Sequence, residues 1–152
     1  MRRLIVAVVV VVLGVGTGLS VAASASSDED HTLTFVQHDL NTGFTHLPPH
    51  PSDTVVIQAE LLDSKQHRVG LFDAFCVVGF GHLVCQGVAE FPGKGDITVA
   101  GEFPAPPSHG GVSGTVAITG GTGRYRGAKG EHQVTPIDDT HARVMFLLDH
   151  NG

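Results

Sequence analysis

The stretch Val116 to Glu131 reads VAITGGTGRYRGAKGE and gathers the side chains best suited to polar chemistry. Arg124 and Arg126 flank Tyr125, the single tyrosine, directly after Gly120, Gly121 and Gly123. Glycines beside guanidiniums could cradle a phosphate, but such a loop must open a helix whose N-terminal amides face the anion. The chain instead continues into Glu131-His132-Gln133-Val134-Thr135-Pro136, a short alternating run ended by proline. A tight strand-to-strand reversal, with glycines free to take positive φ, is the better reading.

The two cysteines, Cys76 and Cys85, flank a run with a turn at its centre. If Phe80-Gly81 forms a two-residue loop, Val78 meets Leu83, Val77 meets Val84, and Cys76 lies opposite Cys85. That register predicts a cross-strand disulfide rather than a metal pair or a catalytic thiol. The ten histidines are scattered. His46 and His50 are four apart, but in a proline-rich stretch that spacing does not place them on one face, so no metal site is expected and the histidines read as solvated loop residues. Neither a G-x-S-x-G elbow nor an H-E-x-x-H helix is present, which argues against the common hydrolase designs. No cofactor-binding pattern occurs.

The elements that would carry these residues have a period of two. Leu33 and Phe35, then Val55, Ile57, Ala59 and Leu61, alternate with more polar neighbours. The same holds for Leu83, Cys85, Ala89 and Phe91, for Ile97, Val99 and Phe103, for Val112, Val116 and Ile118, and for Ala142, Val144, Phe146 and Leu148. No window sustains a helical stripe, so the class is all-β. About eight runs can be marked, near 32–38, 54–62, 67–78, 83–91, 95–103, 112–119, 130–135 and 141–149. Periodicity alone leaves a closed up-and-down barrel and a two-sheet sandwich both open. Asp39 to Ser52 and Pro104 to Gly111 are proline-rich and read as connections between strands.

Ahead of the strands, Arg2 and Arg3 precede ten aliphatic residues, Leu4 to Leu13, and the tail reaches Ala23-Ser24-Ala25. This is the pattern of a secretory signal peptide, 1–25, leaving one domain, 26–152. A retained leader would make it a membrane anchor instead. Of the 152 residues, nine are basic and fifteen acidic; losing Arg2 and Arg3 leaves seven basic residues and a net charge of −8 with histidine neutral. An acidic chain without a basic stripe is not expected to bind nucleic acid.

The VAITGGTGRYRGAKGE run resembles the signature of the allene oxide cyclase and dirigent superfamily, and weaker similarity extends to most of the chain after residue 25, including Asp53 to Cys76 and Ile97 to Gly101. The resemblance implies an eight-stranded antiparallel β-barrel that binds a small hydrophobic molecule in its interior and guides its cyclisation or isomerisation. At the family's spacing of glutamate, asparagine and proline stand Asp39, Asn41 and Pro48. It thereby implies Asp39 as an anion facing developing positive charge, Asn41 as a holder of water or an epoxide oxygen, and Pro48 as a cavity residue. Phe103 stands where the family has a tyrosine, and Ala59 where it has an asparagine. These departures argue against allene oxide cyclisation itself. Dirigent-type relatives need only a shaped cavity with a few polar anchors, for which Asp73, Arg124, Tyr125 and Arg126 are candidates, Asp73 because it interrupts an apolar strand. A non-catalytic exported binding barrel is the alternative. A homo-oligomer is also compatible, with Val56, Leu62 and Met145 expected on an apolar outer face.

Overall fold

A computed structural model describes residues 31–44, 50–104 and 112–149. The leader 1–25 and Pro48 therefore lie outside the described residues. Eight strands occur in chain order: β1 (Thr32–Phe44), β2 (Thr54–Leu62), β3 (Arg68–Val78), β4 (His82–Phe91), β5 (Gly95–Pro104), β6 (Gly114–Gly121), β7 (Gly130–Pro136) and β8 (His141–Leu148). Each pairs antiparallel with the next, and β8 pairs back onto β1, with Leu33 opposite Phe146 and His38 opposite His141. The sheet is thus a closed up-and-down barrel, without the free edge a sandwich would leave. No described helix is long and apolar enough to cross a membrane.

The inward positions are those of the alternating apolar sets. Leu61, Ile97, Val144 and Phe146 are fully buried, and Ala59, Phe72, Ala89, Phe91, Val116 and Ile118 join them in one core cluster. The up-and-down order places the turns 63–67, 92–94 and 122–129 at one end. The 79–81 and 137–140 turns, and the connections from β1 to β2 and from β5 to β6, leave from the other.

Large aromatics close the first end. Phe35 and Phe91 have ring centroids 5.4 Å apart, Phe91 and Phe146 6.2 Å, and Phe91 and Tyr125 5.3 Å. Tyr125 sits in a single 3-10 turn, Gly123–Tyr125, and is only 8% exposed. That turn is stapled to the neighbouring hairpin: Thr122 N–H donates to the Asp96 carbonyl at 2.9 Å, Thr122 Oγ1 to Asp96 Oδ2 at 2.9 Å, and Arg124 N–H to the Lys94 carbonyl at 2.7 Å. Of the three glycines expected to take positive φ, only Gly123 does, at 56°. Gly121 serves differently, since a Cβ there would run into the carbonyls of Tyr125 and Asp96.

One strand limit and one burial differ from the alternation. β1 continues to Phe44, beyond the expected stop near 38, so Asp39 and Asn41 stand in a strand and not in a loop. Leu62, expected on an apolar outer face, is only 9% exposed, whereas Val56 is exposed as expected.

Truncating the aromatic seal should be costly. Phe146→Ala is expected to lower unfolding stability by about 3–5 kcal/mol, measured by urea denaturation.

Candidate functional site

An eight-stranded barrel is just wide enough to be filled by side chains or to hold one small ligand. This barrel does both, at opposite ends. Above the aromatic seal the inward residues shrink: Ala74, Gly87 and Val99 face one another across β3, β4 and β5, with Val116 and Ala142 on the far wall. The space they leave is a cavity of about 460 Å³ opening at the end of the 79–81 and 137–140 turns. That volume is within the range of small-molecule sites, roughly 300–1,000 Å³.

Cys76 and Cys85 lie directly opposite in β3 and β4 and form a disulfide, S–S 2.02 Å, which lines the cavity wall. Gly79 N–H donates to the His82 carbonyl at 2.8 Å, and Gly81 takes φ 81°, so the Phe80-Gly81 turn sets this register.

Polar groups enter the cavity through an irregularity in β1. Asp39 pairs with Ala59 and Asn41 with Gln58, leaving Leu40 as a bulge. A bulge re-aims the residues beyond it. Gln37 and Asp39 line the cavity by ordinary alternation, and the bulge brings Thr42 in beside them, where a regular strand would turn it away. Gln37 Nε2 donates to Asp39 Oδ1 at 2.8 Å, and Thr42 Oγ1 lies 3.4 Å from Asp39 Oδ2. The Asp39 N–H donates to the Thr140 carbonyl at 2.9 Å, tying the strand to the 137–140 turn.

That turn is organised by Asp138. Its Oδ1 accepts from the backbone N–H of Thr140 and of His141, each at 2.8 Å, and lies 3.0 Å from His141 Nδ1. The Thr140 backbone N–H, then the His141 side chain, hold the Asp138 carboxyl down at about 2. The His141 ring stacks on His38 at 4.7 Å. Asp138, Asp139 and His141 form part of the cavity mouth.

The floor of the cavity carries a histidine, and it is not the solvated loop residue expected of the scattered histidines. His132, on β7, is 1% exposed and lies on Phe146, ring centroids 4.4 Å apart, with Phe72 at 5.7 Å. Its Nδ1 has no hydrogen-bond partner among the described residues. Burial pushes its pKa down to about 4, opposed in part by the backbone of Met145. The signal was present in the alternation, since His132 shares an inward parity with Val134 and Pro136.

The other expected site residues divide between the cavity, the outer face and the sealed end. Phe103 lines the cavity. Asn41 is on the outer face, 3.5 Å from Gln58 Oε1, and Asp73 joins the same outer ladder, accepting from Gln58 Nε2 at 3.3 Å. Asp73 interrupts an apolar strand because it occupies an outward position in it, so it does not reach the cavity. Arg124 and Arg126 are exposed, and Tyr125 is packed into the seal, all at the end opposite the mouth. These three therefore do not reach the cavity either. Among the described residues no cluster of three or more His, Cys, Asp or Glu is placed to hold a metal.

Comparison with solved structures finds the same barrel elsewhere. A pyocyanin demethylase superposes with a TM-score of 0.65 at 21% identity, covering 78% of this chain and 99% of its own. The Diels-Alderase AbmU from Streptomyces koyangensis gives 0.62 at 20% identity, covering 80% and 65%, respectively. A nonspecific heme-binding cyclase that catalyses [4 + 2] cycloaddition in neoabyssomicin biosynthesis gives 0.60 at 19%, covering 77% and 63%. The chain thus shares its fold with cyclase-like eight-stranded barrels and spans about two thirds of the length of these two cyclases. No protein-family model matches the sequence, and no curated protein does.

His132 also makes a pH prediction. Its folded pKa lies below the usual 6.5, so protons favour the unfolded chain. Its stabilising contribution is complete above about pH 6.5 and is lost as pH falls toward about 4. The loss should approach about 3 kcal/mol. Asp138, whose pKa is also lowered, acts in the same sense but only at lower pH, below its unfolded value of 3.8. Urea midpoints followed from pH 7 to pH 4 should therefore fall in the native chain, with that component absent in His132→Phe.

Proposed function

We propose that this protein is an exported barrel that binds one small, largely apolar, conjugated molecule in its cavity and guides its cyclisation or isomerisation. The observation that carries the proposal is the hollow half of the barrel, closed below by aromatics and walled by apolar side chains, with Asp39 on its inner wall and Asp138 and Asp139 at its mouth. A cavity of this kind accelerates cyclisation by holding a flexible chain in the conformer whose reacting ends already meet. Asp39, positioned by Gln37 and Thr42, faces positive charge as it develops or takes a proton, while Phe103 supplies an aromatic wall. The similarity to barrels described as Diels-Alderases supports this class of reaction. The allene oxide cyclase and dirigent resemblance belongs to the same reading, with Asp39 retained from the family's pair and Asn41 turned outward.

Export rests on the Arg2-Arg3 start, the apolar Leu4 to Leu13 run and the Ala23-Ser24-Ala25 motif. The Cys76–Cys85 disulfide is compatible with an extracellular location. In this reading 1–25 is removed and 26–152 is the working domain.

A second reading, a non-catalytic extracellular binding barrel, is favoured by one observation: only Asp39 of the Asp39 and Asn41 pair lines the cavity. Two measurements separate the readings. An apolar dye such as Nile red should bind saturably at one site per chain, and Val99→Trp, which fills the cavity, should abolish that binding. A linear triene bearing an enone should cyclise faster with the native chain, and Asp39→Asn should slow it about 100-fold. Dye binding without any acceleration would leave the binding barrel; no dye binding would refute both.

A further inference from the structure

The charges of the barrel are sorted by end. Asp39, Asp138 and Asp139 line the cavity, and no lysine or arginine does. Lys65, Lys94, Arg124, Arg126 and Lys129 lie in the turns of the sealed end, and Arg68 begins β3 there. The remaining cation of residues 26–152, Arg143, is exposed on β8, where it neighbours Val36 and Thr135 rather than the cavity.

The floor differs from the mouth. His132 is the buried polar side chain there, resting on Phe146 and lining the cavity, while its Nδ1 is enclosed by the barrel wall. Its depressed pKa keeps the ring neutral near pH 7, so it offers a lone pair and an N–H but no positive charge. A ligand group that hydrogen-bonds the ring edge lining the cavity gains the net value of one hydrogen bond, about 1 kcal/mol. A hydroxyl both donates and accepts, so it satisfies the ring in either tautomer.

We propose that the cavity selects uncharged or cationic conjugated molecules that enter hydroxyl-first, the hydroxyl meeting His132, and that it rejects carboxylates. A carboxylate fails in both orientations. Entering first, it would be desolvated against a neutral imidazole and aromatic rings; trailing, it would stand among Asp39, Asp138 and Asp139. The inference rests on the cavity being the binding site and names the substrate class for it.

A matched series of fluorescent tetraenes tests this: parinaric acid, its methyl ester and parinaryl alcohol, titrated at pH 8. The alcohol should bind about tenfold tighter than the ester, the value of one hydrogen bond, and the acid weakest of the three. His132→Phe should bring alcohol and ester within about twofold of each other. Independently of any variant, binding of the acid to the native chain should strengthen when salt rises from about 0.02 M to about 0.5 M, because salt screens the mouth carboxylates. Acid binding as tight as the alcohol, or weakening with salt, overturns the charge selection. Ester binding as tight as the alcohol overturns the role of His132. Binding by none of the three overturns the cavity reading itself, whereas a failure of selectivity alone leaves that reading standing.

Discussion

Closure is the constraint on which the rest depends. Eight strands joined edge to edge enclose an interior of nearly fixed radius, so the size of each inward side chain decides whether that level is solid or hollow. Phe35, Phe91, Phe146 and Tyr125 make the lower levels solid. Ala74, Gly87 and Val99, adjacent across three strands, cannot fill theirs. The cavity is therefore a consequence of small residues at three neighbouring inward positions, and the aromatic seal gives it a floor. The disulfide across β3 and β4 sits at the hollow level, where side-chain packing holds the two strands together least.

Polar groups within such an interior need a reason to be there. Asp39 is met by Gln37 and, more loosely, by Thr42, and Thr42 faces inward only because β1 bulges at Leu40. Without the bulge the alternation would bring Gln37, Asp39 and Asn41 inward and send Thr42 out. The extra residue exchanges Asn41 for Thr42, replacing an amide with a shorter hydroxyl beside the carboxylate. His132 is handled in the opposite manner. It stays neutral through burial, with Nδ1 enclosed by the wall and another part of the ring lining the cavity.

Most of the fold could be read from alternation, because each strand has one apolar inward face and that signal is strong wherever the interior is solid. The same rule explains where legibility ends. Beyond Phe35, β1 lines a cavity, so its inward residues turn polar and its strand signal fades near 38 although the strand runs to Phe44. Bulges leave no mark in composition, and the outward turn of Asn41 was invisible for that reason. His132 was legible in principle, since its parity matches that of Val134, but a histidine at an inward position looks the same in sequence as one on a loop. Asp73 shows the converse: a charge within an apolar strand marked an outward position, because both faces of β3 carry apolar residues, with Phe75 and Val77 exposed.

The VAITGGTGRYRGAKGE run has a different lesson. Its glycines allow Tyr125 to close the barrel, Gly123 by its positive φ and Gly121 by the close approach of two carbonyls, and Thr122 ties that turn to Asp96. Arg124 and Arg126 extend into solvent below the seal, far from Asp39 and the mouth. The most recognisable segment of the chain is therefore the part that finishes the barrel, and a likeness carried by it bears on how the sheet closes. The cavity is shaped at the other end, by a bulge in β1, three small wall residues and one buried imidazole. The bulge and the wall residues lie away from the seal, whereas His132 rests directly on Phe146 and joins the two halves.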